Sequence, residues 1–146
     1  MNKEIKYLIA VGSGGSNIVN SLVDDNLGHH ILFDNNIDLS VIPENCHNIY
    51  LICTLGGTFG SSEIINIVEA LDLNQIQKVI VTTPLSFEGK KRSDLASLTI
   101  KKLEALNISL AIIDNNEILE NTDANISMKD SFDIVNKRIK GLIEDA

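Results

Sequence analysis

Five short apolar runs constrain this chain more than any other feature. Lys6–Val11, Ile31–Phe33, Ile49–Cys53, Val79–Thr82 and Leu110–Ile113 are rich in Ile, Val and Leu, and most lack polar alternation. A strand that alternates polar and apolar residues shows one face to water, whereas a strand without alternation is covered on both faces, as in a parallel sheet. Between the runs lie segments with helical spacing: Asn17–Leu27, Ser62–Leu73, Lys90–Leu106 and Met128–Ile143. In the last of these, Phe132, Val135, Ile139 and Leu142 recur every three or four residues. Alternating strands and helices predict an α/β fold, a single three-layer Rossmann-like domain with a mostly parallel five-stranded sheet and right-handed crossovers. The stretch from Asn35 to His47 is polar, contains Pro43 and joins two strands without a helical pattern.

The length of 146 residues and the 44% apolar content suffice for one core, so residues 1–146 are read as one domain. A formal charge of −8 disfavours nucleic acid as a partner, because affinity for a phosphate backbone rests on clustered Lys and Arg. It does not exclude one nucleotide, whose phosphates are held by backbone N–H groups and helix N-termini. The first apolar run is too short for a signal peptide and no run reaches the length of a membrane span, so a cytoplasmic protein is expected. Cys46 and Cys53 lack the C-x-x-C spacing of a zinc or redox site, and Cys53 is expected as a buried, reduced thiol. The adjacent His29 and His30 face opposite ways on a strand and His47 is isolated, so no metal site is expected. No catalytic residues are assigned, since the spacing supports no Ser-His-Asp, Cys-His or paired-carboxylate arrangement.

Two glycine-rich turns follow strands and open helices. The first is Gly12-Ser13-Gly14-Gly15-Ser16-Asn17, and the second runs from Thr54 through Gly56, Gly57, Thr58, Phe59 and Gly60 to Ser62. Open α/β sheets place phosphates at such turns, because glycine lets the backbone come close and the helix dipole favours an anion. The Lys and Thr of a P-loop are missing. A dinucleotide-binding reading has Asp34 in its favour as a ribose-binding acid, and Asn17 in place of the third glycine against it. The first and third strands of such a sheet flank its switch point, which makes the two turns two sides of one cradle. Thr58, Ser61 and Ser62 would either donate hydroxyls to it or cap the next helix.

These residues resemble FtsZ and its relative tubulin. The first turn matches the G-G-G-G-S-N loop typical of FtsZ with one substitution. The run Thr83-Pro84-Leu85-Ser86-Phe87-Glu88-Gly89-Lys90-Lys91-Arg92 is similar to the FtsZ pattern K-P-F-x-F-E-G-x-x-R. Ile112-Ile113-Asp114-Asn115-Asn116 resembles the strand end I-P-N-[DN]. The resemblance implies a guanine-nucleotide site for GTP or GDP, with Mg accompanying the nucleotide. It assigns the phosphates to both glycine turns, the ribose and base-side edge to Pro84, Glu88 and Arg92, and the sugar to Asn115. Phe132 and Asn136 stand four apart on the last helix, where a ring stacks on a purine and an amide reads its edge.

The second turn departs from the family signature G-G-G-T-G-[ST]-G by one glycine, with Phe59 where the family has no side chain. The Asn35–Asn48 stretch stands where the family has a helix and an edge strand, so a sheet narrower by one strand is expected. The catalytic loop N-x-D-x-x-D, which follows the last helix in the family, has no counterpart before Ala146. The resemblance therefore implies a nucleotide binder without independent hydrolysis, whose partner is a full-length FtsZ-type filament protein that it caps, or itself as a dimer. Two alternatives stay open: an interaction module of the same fold that binds no nucleotide, and a small Rossmann-type cofactor binder.

Overall fold

The structure is a computed structural model, which describes residues 7–12, 30–33, 48–85, 88–120 and 128–144. Strands β1 (Tyr7–Val11), β2 (His30–Phe33), β3 (Ile49–Thr54), β4 (Ile76–Thr82) and β5 (Leu110–Ile113) form one five-stranded sheet. Its order is β2-β1-β3-β4-β5 and every neighbouring pair is parallel. Helices α1 (Thr58–Ala70), α2 (Lys90–Glu104), α3 (Asn115–Glu120) and α4 (Met128–Glu144) follow strands or close the described chain, and a 3-10 turn at Leu73–Gln75 leads into β4. The three-layer α/β expectation is borne out, and the sheet is parallel throughout rather than mostly so.

β1, β3 and the greater part of β4 are buried on both faces, which is why their sequences run apolar without alternation. On one face Ile9, Val11, Leu51, Cys53, Val79 and Val81 pack with Ile64, Ile67 and Val68 of α1 and with Ala96 and Leu103 of α2. On the other, Leu8, Ala10, Tyr50, Ile52 and Ile80 meet Ile118 of α3 and Val135, Ile139 and Ile143 of α4. Burial of a Leu or Ile side chain contributes roughly 1.5–3 kcal/mol, so these two cores hold the layers together. The Val135–Ile139–Ile143 spacing of α4 puts its apolar stripe on the sheet. The Cys53 thiol is fully buried, as expected.

Element bounds differ from the sequence reading in two places. β4 begins at Ile76 rather than Val79, because Gln77 and Lys78 extend the strand at its wetter N-terminal end and hide it from an apolar pattern. α1 begins at Thr58, not Ser62, with Gly57 as its N-cap. Its glycine-bearing first turn resembles loop sequence, yet the first turn of a helix tolerates residues that its interior does not. The Asn17–Leu27 segment and residues 35–47 lie outside the described residues.

Candidate nucleotide site

A parallel sheet collects all its strand-to-helix turns on one edge, and the strand order decides which turns become neighbours. Here the chain passes from β1 outward to β2, then returns past β1 to β3, so β1 and β3 are adjacent and their successors diverge. The register sets Val11 beside Cys53. The turn that begins at Gly12 and the turn Leu55-Gly56-Gly57 therefore leave the sheet side by side at the switch point, where open α/β sheets bind ligands.

Both turns use backbone that favours glycine. Gly12 has φ 78° and Gly56 has φ 105°. Gly56 is also hemmed in: a Cβ there would lie 3.1 Å from Pro84 Cγ and 3.3 Å from Arg92 Cβ. The second glycine turn thus rests directly on the Pro84–Arg92 segment. The Gly56 N–H donates to Ser61 Oγ at 3.2 Å, and Ser61 is buried. Ser61 ties the turn to the first coil of α1, where the sequence had suggested either a ligand donor or a helix cap.

The N-terminus of α1 has no side-chain cap and no acidic residue in its first turn. α2 starts in the same way, capped only by Gly89 at φ 111°, and its first turn carries Lys90, Lys91 and Arg92. Cations at the positive end of a helix dipole are unfavourable by themselves. Glu88 answers part of this charge, with Oε1 3.7 Å from Arg92 Nη1 in an exposed i, i+4 pair. Such a pair contributes little to stability. The other Glu88 oxygen, Oε2, accepts the Leu85 N–H at 2.6 Å while the Glu88 N–H donates to Leu85 O at 3.0 Å. Glu88 is thereby held by the turn after β4.

At the end of β5 the chain makes a clasp with the end of β4. Thr83 N–H donates to Ile113 O at 3.1 Å, and Asn115 N–H donates to Thr83 Oγ1 at 3.3 Å. Thr83 Oγ1 donates in turn to Asp114 Oδ1 at 3.3 Å. The Asn115 amide nitrogen donates to Thr83 O at 2.8 Å, and that of Asn116 to Pro84 O at 3.4 Å. Asp114 Oδ1 also caps α3, accepting from Asn116 N at 2.9 Å and Glu117 N at 3.4 Å. The sequence reading found Asn115 but missed Thr83, Asp114 and α3. A signal was present, since Asp114-x-x-Glu117 has the spacing of a capping box.

One polar atom in this clasp stands out. Asn115 Oδ1 is buried and has no hydrogen-bond partner among the described residues. A buried acceptor left unpaired costs about 1–3 kcal/mol, so a hydrogen-bond donor fits there.

The structure brings together, along one sheet edge, Gly12, Gly56, Gly57, the backbone of Thr58 and Gly60, Pro84, Glu88, Arg92 and Asn115. Phe132 and Asn136 lie on α4, which packs on the face that also carries α3. Ser13, Gly14, Gly15, Ser16 and Asn17 lie outside the described residues, and so does Asp34.

Comparison with known proteins agrees with this geometry. The cell division protein FtsZ of Wigglesworthia glossinidia brevipalpis is 27% identical over 142 residues, which is 97% of this chain and 37% of that protein. FtsZ of Coxiella burnetii is 33% identical over 104 residues, 70% of this chain and 27% of the relative. The chain is a relative of FtsZ. Its fold is that of the FtsZ nucleotide-binding domain: the structure of an empty FtsZ dimer from M. jannaschii superposes with a TM-score of 0.77 at 16% identity, covering 98% of this chain and 55% of that one. No family model matches the sequence. The chain spans little more than a third of the length of the FtsZ relative that it matches over most of its own length.

Proposed function

We propose that this FtsZ-like domain binds a guanine nucleotide along the C-terminal edge of its sheet. The observation that carries the reading is the pairing of two glycine turns across the β1/β3 switch point, next to a helix start that has neither a side-chain cap nor an acidic residue. In this reading the backbone from Gly12 to Asn17 and the Gly56, Gly57, Thr58 and Gly60 segment surround the phosphates. Pro84, Glu88, Arg92 and Asn115 line the sugar side, and Phe132 and Asn136 hold the base. Mg would travel with the phosphates, as no cluster of His, Cys, Asp or Glu able to hold a metal occurs among the described residues. A nucleotide supplies two things that these residues lack: negative charge for the α1 and α2 starts, and hydroxyl donors for the unpaired Asn115 oxygen. No helix of the described residues is long and apolar enough to cross a membrane. A cytoplasmic place in cell division goes with the family reading.

Titration calorimetry of nucleotide-stripped protein with GDP and GTP, in magnesium, tests the proposal. Saturable heat that weakens in Glu88→Ala and Phe132→Ala supports the site. No heat and no thermal shift at millimolar nucleotide would leave the other reading, an interaction module of the same fold, and a response to a nicotinamide cofactor alone would point to the dinucleotide-binding class.

The finer proposal is that the domain acts on an FtsZ-type filament by occupying its end without supporting hydrolysis itself, or pairs with its own kind. Sedimentation of FtsZ polymers with increasing amounts of this protein tests the first, with shorter polymers expected at substoichiometric ratios. Unchanged polymers would remove it, and analytical ultracentrifugation of the protein alone tests self-association.

A further inference from the structure

We infer that the β5 margin of the sheet is a docking surface for a second copy of this chain, the two β5 strands pairing antiparallel about a twofold axis at Ala111. The inference rests on the self-pairing reading above, to which it gives a surface, and it does not depend on the nucleotide.

The backbone decides the register. Ser109 O accepts from Val79 N at 2.8 Å and Ile113 O from Thr83 N at 3.1 Å, so both carbonyls turn towards β4 and its end. Peptide groups alternate sides along a strand. Ala111 therefore also faces β4, while Leu110 and Ile112 turn their N–H and C=O groups away from it. No strand of the described residues lies on that side. Exposed edges are usually blunted by charge, proline or a bulge. The stretch Ala105–Ile113 contains no Lys, Arg, Asp, Glu or Pro, and the β4–β5 register runs without a shift. In an antiparallel pair centred on Ala111, Leu110 of each copy stands opposite Ile112 of the other, and all the outward N–H and C=O groups of both residues are used in reciprocal hydrogen bonds. The side chains agree with this register. Leu110 packs against the core on the α1 and α2 face and Ala111 against the opposite one, so Ile112 shares the face of Leu110. Ile112, 46% exposed in the single chain, is then covered by Leu110 of the other copy.

The distribution of charge identifies the occupant. The segment from Tyr7 to Gln77, which supplies β1, β2, β3 and α1, has eight Asp and Glu and no Lys or Arg, which equals the whole formal charge of −8. The remainder, with α2, β5 and α4, is close to balance. Copies meeting at the β2 margin would set like charges together, whereas copies joined at β5 hold their acidic halves at the far ends. A basic partner would be drawn to the acidic half and finds no charge on β5 to recognise. The twofold contact closes on itself, and because the strands run antiparallel, the two glycine-turn edges point in opposite directions and both stay open. A pair of four-residue strands is a small interface, so the dimer is weak.

Sedimentation equilibrium up to about 1 mM protein, a range that reaches high-micromolar dissociation constants, should show a monomer–dimer equilibrium. Ile112→Lys should weaken it about tenfold or more, since the change occurs twice per dimer, with an unaltered melting temperature showing that the variant is folded. Cysteine cross-linking in a Cys46→Ser background reads the register. Opposed Cα atoms in a pair without mutual hydrogen bonds lie about 4.5 Å apart, within reach of a disulfide. Ala111→Cys should therefore link two copies under mild oxidation. The two Ile112→Cys residues would stand about 8 Å apart, beyond that reach, and should link at least about tenfold more slowly. A dimer that Ile112→Lys leaves intact, or equal cross-linking by the two cysteine variants, would overturn the inference while self-pairing through another surface survived. Absence of any dimer at the highest concentration would remove both.

Discussion

Gly56 shows how much a single position decides. Its φ of 105° is reached without strain only by glycine, and the space where a Cβ would sit is bounded by Pro84 and Arg92. Gly56→Ala should therefore destabilise the protein by about 1–3 kcal/mol through strain and crowding together. Chemical denaturation measures this, and Gly57→Ala is its control, since a Cβ at Gly57 meets nothing within 4 Å. Cys53 makes a different prediction. Burial pushes its thiol from the ordinary 9.0 up to about 12. The folded state then keeps a proton that the unfolded chain gives up, so the thiol's share of stability is complete below pH 9 and declines as pH rises towards 12. The slope is about 1.4 kcal/mol per pH unit for one group. Cys53→Ala should remove this part of the alkaline loss, as read from unfolding free energies between pH 8 and 10.5. Of these two positions, only the buried thiol was legible from sequence in full. That Gly56 lies against Pro84 and Arg92 depends on which strands are neighbours, and local residue order does not carry that.

At the scale of elements, the strands were the easiest to read and the starts of helices the hardest. Strands covered on both faces leave an unbroken apolar imprint, and Ile49–Thr54 shows it most clearly, with Ile49 through Cys53 buried. α3 left almost no imprint, because six residues are too few for a helical period and only its Asp114 cap betrays it. The amphipathic stripe of α4 was legible as Val135 and Ile139, and the structure adds Ile143. α2 offers a prediction at this scale. Its first turn holds Lys90, Lys91 and Arg92 and no acid, against the preference of the dipole. Lys91→Glu should stabilise the nucleotide-free protein by about 0.3–1 kcal/mol and weaken GDP binding, and the two effects are separable by melting the protein with and without the nucleotide. A rise in stability with no change in affinity would mean that these cations serve something other than phosphate.

For the molecule as a whole, the sequence carried the layer count and the strand number, while the β2-β1-β3-β4-β5 order came from the coordinates. The site was legible as motifs, two glycine turns and a Pro-Glu-Arg run, but not as the hydrogen-bonded clasp that joins the last two strands. Residues 31 and 32 apart in sequence meet there only through sheet order. The same order leaves β5 at one margin, with no further strand beside it among the described residues, and Ile112 is 46% exposed on it. Unpaired, apolar strand margins invite association. Ile112→Lys should change stability by no more than about 0.5 kcal/mol while lowering light scattering at high protein concentration. Equal scattering by both proteins would show that this margin is not the sticky one.

The turn that precedes β5 offers something of practical use. It lies at the opposite end of the strands from the glycine turns, and its Asn107 is exposed at φ 61°, a conformation that asparagine and glycine accept. A short tag inserted at this point would sit a full strand length away from the proposed pocket. Tethered to a sensor chip by that tag, every molecule would present its glycine turns outward to the flow, so binding of small anions and of filaments would be compared on one uniformly oriented layer.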